Sequence, residues 1–429
     1  MLNKTYKFKK TALLFALAGA LGAQSAQAAN WLMLQGTEKD HQGPRAKVWG
    51  FVQADYMQTD DTKLKAGPYV GKSAAFNQLG PQLTSSQGFN IRRARIAVRG
   101  NNFPLDEKVN YFLMAEFGNN GITTGGKASQ GQLTDASVTL NHIPGARIRA
   151  GLFKTPGAEE GLQGIGVFNY VNFTNVTDRL VLERFYDNAA NNTGRNGPVS
   201  AFRDTGVQVF DSFRQGDWEH SYAVMLGNGN GLALQDNDKH QDLYLYASTE
   251  KIFGDSKGPR RHGMKFFAWM QDGKRTLDDV GTVDRKRSGL GTTYWDGKYR
   301  LAAEYITADG MIYGGTKGAG TPADGATFSV FPDEKATGYY VDLGYRVLPN
   351  LELNARYDML DAATETAALH RELQTTTLGA QYFFNKKTSL KVNYEIRNID
   401  APDLPAASPV HDILDSLDNR VSAQLTVVY

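Results

Sequence analysis

Val109-Asn110-Tyr111-Phe112-Leu113-Met114-Ala115-Glu116-Phe117 is the stretch on which the fold turns. Every second residue, Val109, Tyr111, Leu113, Ala115 and Phe117, falls on one continuous apolar face. Asn110, Phe112, Met114 and Glu116 make up a mixed face. Period two belongs to an extended strand, whose successive side chains point to opposite sides of a sheet. An apolar outside and a mixed inside is the pattern of a strand with lipid on one side and a polar lumen on the other.

The same alternation recurs along the chain. In the first half it predicts strands over 46–57, 89–99, 133–140, 146–153, 204–212, 218–227 and 243–252. In the second half it predicts strands over 262–272, 286–295, 298–306, 335–346, 351–360, 373–384, 388–399 and 419–429. With the opening stretch that makes about sixteen, an even number as in bacterial barrels. Every second connection is tight and rich in turn formers, as at Phe103-Pro104, Ile143-Pro144-Gly145, Gln215-Gly216-Asp217, Asp296-Gly297, Leu348-Pro349-Asn350 and Asn385-Lys386-Lys387. These read as periplasmic turns. The intervening connections over 60–87, 154–203, 307–334 and 400–418 are long and irregular, and read as extracellular loops. A soluble sandwich or propeller also has many short strands, but neither requires tight turns and long loops in strict alternation. The expected fold class is therefore all-β, a transmembrane antiparallel β-barrel. The last strand agrees, with Val421, Ala423, Leu425, Val427 and Tyr429 on one face.

The first residues carry Lys4, Lys7, Lys9 and Lys10, then an apolar run over 11–23 and Ala26-Gln27-Ala28. This has the form of a secretory leader cleaved after Ala28, leaving 29–429 as a single barrel domain. The apolar run is too short for a membrane-spanning helix, and no later segment supplies about 20 consecutive apolar residues. The chain has no cysteine, so disulfides contribute nothing to its stability. With 45 Gly, 20 Tyr and 22 Phe but a mean hydropathy of −0.42, it is aromatic yet too polar for a helical membrane protein. Basic residues number 47 and acidic residues 45; four of the lysines lie in the leader, which holds no acid, so the exported part is nearly neutral. That balance excludes a broad nucleic-acid-binding surface and leaves selectivity to local clusters.

One such cluster is Phe89-Asn90-Ile91-Arg92-Arg93-Ala94-Arg95-Ile96-Ala97-Val98-Arg99-Gly100. It resembles the arginine-rich second strand of the phosphate- and pyrophosphate-selective porin O/P family. Similar sequence recurs at Ala150-Gly151-Leu152-Phe153-Lys154-Thr155-Pro156, Leu182-Glu183-Arg184-Phe185 and Arg203-Asp204-Thr205-Gly206-Val207-Gln208-Val209. The resemblance implies a 16-stranded barrel, a homotrimer, a third loop folded into the lumen, and a ladder of arginines leading anions to a lysine/arginine constriction. It also implies the outer membrane of a Gram-negative bacterium, with lipid and lipopolysaccharide around the barrel and small anions such as phosphate passing through it. Over 60–87 the only basic residues are Lys63, Lys65 and Lys72, so the permeating solute stays open. A general diffusion pore, or one for sugars or organic acids, is the alternative.

Within the cluster, Ala94, Ile96 and Val98 oppose Arg93, Arg95, Ala97 and Arg99. A guanidinium facing lipid costs roughly 2–4 kcal/mol at the midplane, so the arginine side must face the pore. Arg92 is out of phase, which calls for a bulge, a rim position or a protomer contact. The fifth strand repeats the pattern, with Arg147 and Arg149 opposed to Ile148, Ala150 and Leu152 and followed by Lys154. Arg184 and Arg203 belong to the long 154–203 segment and its exit. Its apolar runs and mixed charges, among them Glu159, Glu160 and Asp178, fit a loop folded into the lumen and either a cationic or a charge-separated eyelet. The site residues expected to line the pore and meet anions are Arg93, Arg95, Arg99, Arg147, Arg149, Lys154, Arg184 and Arg203. Several modest sites pass an ion along better than one deep one. The plain alternative is that these cations only neutralise lumen acids such as Glu116, Asp135 and Asp204.

Trp295, Tyr299, Tyr305, Tyr382, Phe383, Phe384 and Tyr429 stand near strand ends, as interfacial girdle residues do. The seven histidines are scattered without metal-site spacing, and no residue pattern calls for a cofactor. His220 and Ser221 are adjacent on one strand and point to opposite faces, so they do not form a nucleophile–base pair. A surface receptor or adhesin acting through its long loops is the remaining class, and conductance separates it from a pore.

Overall fold

The computed structural model describes residues 30–34, 37–38, 44–77, 86–101, 106–123, 131–182, 201–236, 238–256, 260–277, 281–314 and 329–429. The expected leader lies outside them. The described strands are β1 (Lys47–Gln58), β2 (Gln87–Asn101), β3 (Val109–Glu116), β4 (Gln132–Leu140), β5 (Arg147–Lys154), β6 (Arg203–Gln215), β7 (Trp218–Gly227), β8 (Asp242–Ile252) and β9 (Gly263–Leu277). They continue with β10 (Gly281–Trp295), β11 (Tyr299–Asp309), the short β12 (Ile312–Gly314) and β13 (Ser329–Phe331), β14 (Lys335–Leu348), β15 (Leu351–Ala362), β16 (Arg371–Phe383), β17 (Thr388–Asp400) and β18 (Arg420–Val428). β12 and β13 pair only with each other; the remaining strands pair antiparallel in a closed ring in which β1 meets β18, a barrel of sixteen strands. Closure satisfies the backbone groups that an open edge would leave exposed.

Alternation decides which side chains face inward. On β3, Asn110 (1% exposed), Phe112, Met114 and Glu116 point into the barrel, while Leu113 (48%) and Phe117 lie on its outer surface. A slip of one residue would exchange the two faces, so this pattern pins the register. The terminal Tyr429 completes the seam: its backbone exchanges hydrogen bonds with Gly50, and its hydroxyl donates to the Arg95 carbonyl at 3.0 Å. A Cβ on Gly50 would stand 2.5 Å from that hydroxyl, so the aromatic needs the glycine notch.

Two bulges adjust the inner face. Gln53 pairs with Arg93 and Ala54 with Ile91, which leaves Arg92 as the extra residue on β2. Met114 pairs with Asp135 and Ala115 with Leu133, which leaves Thr134 extra on β4. A bulge puts two consecutive side chains on nearly the same side. Arg92 and Arg93 both face inward, as do Thr134 and Asp135.

The connections depart from strict alternation twice. β9 and β10 run on until three residues separate them, so the loop expected there is replaced by a tall hairpin. The connection 253–262, at the rim where β1 begins, spans ten residues and carries Arg260 inward. Of the residues expected in the girdles, Tyr299, Tyr305, Tyr382, Phe384 and Tyr429 are exposed on the outer surface, Tyr305 in the middle of β11. The expectation fails for Trp295 and Phe383, which have inward parity and pack under the Arg346 guanidinium at 5.2 and 4.7 Å.

Candidate functional site

The inside of the barrel is crossed by residues 155–182, which leave β5 and include the short helix α1 (Glu159–Leu162). Their path is fixed by contacts around the wall. The Glu159 N–H donates to Glu304 on β11 at 3.1 Å, and the Tyr170 hydroxyl donates to Asp342 on β14. The Val171 N–H donates to Asn393 on β17 at 2.8 Å, and the Asn172 amide to Glu395 at 3.0 Å. Gln53 on β1 reaches the Ile165 carbonyl. A chain with so few backbone partners of its own needs such side-chain donors and acceptors to be buried at all.

Cations on the wall supply further bonds to the loop. Lys154 donates to the Gly161, Leu162 and Gln163 carbonyls, at 2.9, 3.2 and 2.5 Å, and so holds the turn that follows α1. Arg92 donates to the Val171 carbonyl and the Asn172 amide oxygen, both at 3.0 Å. Arg260 reaches Asn169 at 3.0 Å. Arg287 is satisfied by carbonyls, those of Leu180 (2.6 Å), Gly310 and Met311 (both 2.9 Å) among them. Arg356 bonds Glu160 at 2.9 Å and the Asn172 carbonyl at 3.1 Å, with its plane over the Tyr170 ring. The two acids of α1 are both paired, since Glu159 also meets Lys265 at 2.6 Å.

Of the eight residues expected to line the pore, Arg93, Arg95, Arg149 and Arg203 are buried inside the barrel. Arg99, Arg147 and Lys154 are half-buried on the same inner face. Arg184 lies outside the described residues. Several of them are neutralised locally. Arg95 pairs with Glu116 at 2.8 Å and Arg203 with Asp135 at 3.1 Å, while Arg99 meets Glu38 and Arg147 meets Asp211. Arg149 lies 4.2 Å above the Phe210 ring and donates to Thr139.

Arg93 stands apart from these pairs. It is 1% exposed, and its Nη1 donates to the Gln53 amide oxygen at 2.8 Å, while its Nε is buried without an acceptor. Gln53 in turn donates to Thr426, Thr426 to Gln424, and Lys391 to the same Gln424 oxygen at 3.2 Å. Lys391 is likewise 1% exposed. Along β2, β1, β18 and β17, two buried cations are thus joined by amides and a hydroxyl. Neither has a carboxylate at ion-pair distance among the described residues. Removing a charge from water costs several kcal/mol, and a neutral relay recovers only part of that. The same Gln424 side chain also donates to the Asp55 carboxylate at 2.8 Å, so the relay ends near an acid without either cation touching one.

Lys391, Arg260, Arg287 and Arg356 are absent from the sequence-derived set. The signal was present, since Glu352, Asn354, Arg356 and Asp358 alternate on one face of β15, and Arg285 and Arg287 share the inner face of β10. At the opposite rim, His370 presents one ring nitrogen to Asp361 and the other to Asp403 at 2.7 Å. Burial disfavours its charge, but those two hydrogen bonds outweigh burial and hold the imidazolium above its usual range. Asp361, His370 and Glu372 bring ligand-type atoms within 4.8 Å of one another, a grouping that sequence spacing did not disclose.

Comparison with known proteins agrees with this architecture. A family model described as phosphate-selective porin O and P matches residues 75–400. No curated protein matches the chain. Among solved structures the barrel resembles an anion-selective porin from Comamonas acidovorans, with a TM-score of 0.55 at 12% identity, covering 90% of this chain and 99% of that one. It also resembles the outer membrane channel DcaP of Acinetobacter baumannii, at 0.52 and 15%, covering 92% and 100%. A loop-deletion mutant of OmpT from Vibrio cholerae gives 0.54 and 11%, covering 90% and 99%.

Proposed function

The chain belongs to the phosphate-selective porin O and P family of outer-membrane channels, and from that premise we propose a passive pore that favours small anions, phosphate among them. The observation that carries this reading is the pair of buried cations without a carboxylate, Arg93 and Lys391, on the inner wall. Cations that no carboxylate contacts would raise the local anion concentration, and a relay of amides and a hydroxyl that reaches Asp55 only through Gln424 would leave the ions free to move on. The fold shared with a porin that is itself anion-selective is consistent with this. The paired state of Arg95, Arg99, Arg147 and Arg203 favours a second reading, a general diffusion or organic-acid pore with mild selectivity.

In this reading the leader directs export and is cleaved after Ala28. Three copies assemble within outer-membrane lipid and lipopolysaccharide. The trimer is supported by the low wall of β3, β4 and β5, which are only eight, nine and eight residues long and carry exposed Leu113 and Val138. A trimer form is described for OmpT of Vibrio cholerae.

The test is the reversal potential of single channels under a potassium chloride gradient, followed by phosphate competition. Anion-selective current that low phosphate blocks, and that R93Q/K391Q shifts toward cations, supports the proposal. Large current indifferent to phosphate and to that double substitution moves the protein to the second reading.

A further inference from the structure

Residues 30–34 and 37–38, ahead of β1, lie against the inside of the barrel. Trp31–Met33 form a single 3-10 turn, in which Leu32 is 3% exposed. Leu32 joins an apolar cluster that includes Ala158 and Leu162 of the crossing loop and Phe210 and Ala223 of the wall. The Trp31 indole N–H donates to Glu159 Oε1 at 3.0 Å, while Lys265 holds the other oxygen of that carboxylate at 2.6 Å. At one end Asn30 donates to Glu219 and Ser221 on β7, at 3.0 and 2.5 Å. At the other end the Glu38 carboxylate meets Arg99 on β2, and its N–H donates to Asn110 on β3. The two ends are thus anchored on separate stretches of wall, Asn30 on β7 and Glu38 on β2 and β3, in the half of the barrel where β1 begins. An arm trailing in solvent would not bury a leucine or give its indole N–H to a loop carboxylate.

We propose that residues 30–34 and 37–38 belong to a built-in pore element, which narrows the periplasmic half of the lumen and helps position Glu159 against Lys265. The segment sets two quantities. It fills cross-section that ions would otherwise use. It also shares Glu159 Oε1 with the Gln163 amide, which donates to it at 3.3 Å, and so helps hold that carboxylate against Lys265 and away from the permeation path. Trp31 acts on ions through Glu159 and is a positioning residue. This inference holds whatever solute the pore prefers.

The experiment compares wild type with W31A/L32A in planar bilayers, using protein shown to be folded by heat-modifiable gel migration. Conductance rises on the order of twofold, because a freed segment opens cross-section, and the reversal potential moves toward cations as Glu159, left with Gln163 and Lys265 alone, becomes less tightly held. A purely structural role would leave selectivity unmoved. Because the chain has no cysteine, N30C/S221C gives a second, independent readout. Oxidation links the two residues in the folded barrel, and the linked channel keeps wild-type conductance. A folded W31A/L32A channel with wild-type conductance and selectivity overturns the proposal. So does failure of the cysteine pair to link, or a linked channel whose conductance falls, which would show that the segment normally lies elsewhere.

Discussion

Replacing Arg356 with Met keeps the unbranched stem of the side chain but removes the guanidinium head, and with it the charge that holds the crossing loop to β15. Arg356 is fully buried, donates to Glu160 and to the Asn172 carbonyl, and lies 4.2 Å above the Tyr170 ring. Removing one partner of a buried ion pair costs about 3–5 kcal/mol, because the other charge is left behind. Two features place this case at the low end. Glu160 keeps two donors from Thr174, the backbone N–H at 3.0 Å and the hydroxyl at 2.6 Å. In addition, Arg356 Nε is already buried without an acceptor, so the wild-type contact falls short of its best. About 3 kcal/mol then shifts the docking equilibrium of the loop by roughly two orders of magnitude. The sixteen-stranded ladder does not depend on this contact, so loop motion should respond far more than barrel stability. R356M should show strongly increased open-channel noise with little change in the temperature at which heat-modifiable migration is lost. E160Q/R356M, which removes both charges, should be quieter than R356M alone. A double variant noisier than R356M, or an R356M channel as quiet as wild type, would refute this account of the loop's anchorage.

Arg287 ties the end of the same loop to residues 310–311 through carbonyls, so R287L should lose about 3 kcal/mol of local docking. R287K, with fewer donors, should fall between it and wild type when proteolysis of the 310–334 region is timed on intact cells. His370 bridges Asp361 and Asp403, and its folded pKa is raised, so its contribution is present below the unfolded value of about 6.5 and is lost as pH rises through the folded one. H370N should therefore loosen the 401–419 loop at pH 5.5 but not at pH 9, as read by hydrogen exchange; equal effects at both would remove the charge from the explanation. At Gly151 φ is +121°, and a Cβ would meet the Ala136 carbonyl oxygen at 2.1 Å. G151A should fail to reach the heat-modifiable form, whereas G145A, at a positive-φ turn with open space, should cost only about 1 kcal/mol.

The strands were legible because lipid and lumen make opposite demands on successive residues. Val109–Phe117 shows this directly, and the count of sixteen follows from repeating it. The off-phase Arg92 was legible too, since two neighbouring inward arginines require an extra residue in one strand. Pairing of Arg95 with Glu116 and Arg203 with Asp135 matches the plain neutralising alternative. What stayed hidden were partners set by the course of a loop. Arg287 and Lys154 bond carbonyls, which every residue has, so composition cannot reveal them. Trp295 and Phe383 were misjudged because their place at a strand end was weighed above their parity, which they share with Arg287 and Gln381. Residues 30–38 offer no periodicity from which a path through the barrel could be read.

The bulge at Arg92 separates two properties that a regular strand locks together. In an unbulged strand, adding a charge to the channel means exchanging a residue already on the inner face. Adding a residue instead would throw every later side chain onto the wrong surface. The extra residue of β2 enters where the pairing steps from Gln53 to Ala54, and Ile91 and Ala94 on either side both keep their outward places. At such a point one inserted or deleted codon changes the charge of the channel while the lipid-facing sequence stays as it was, which gives small indels a route to new permeability that substitution alone would have to take one inner-face position at a time.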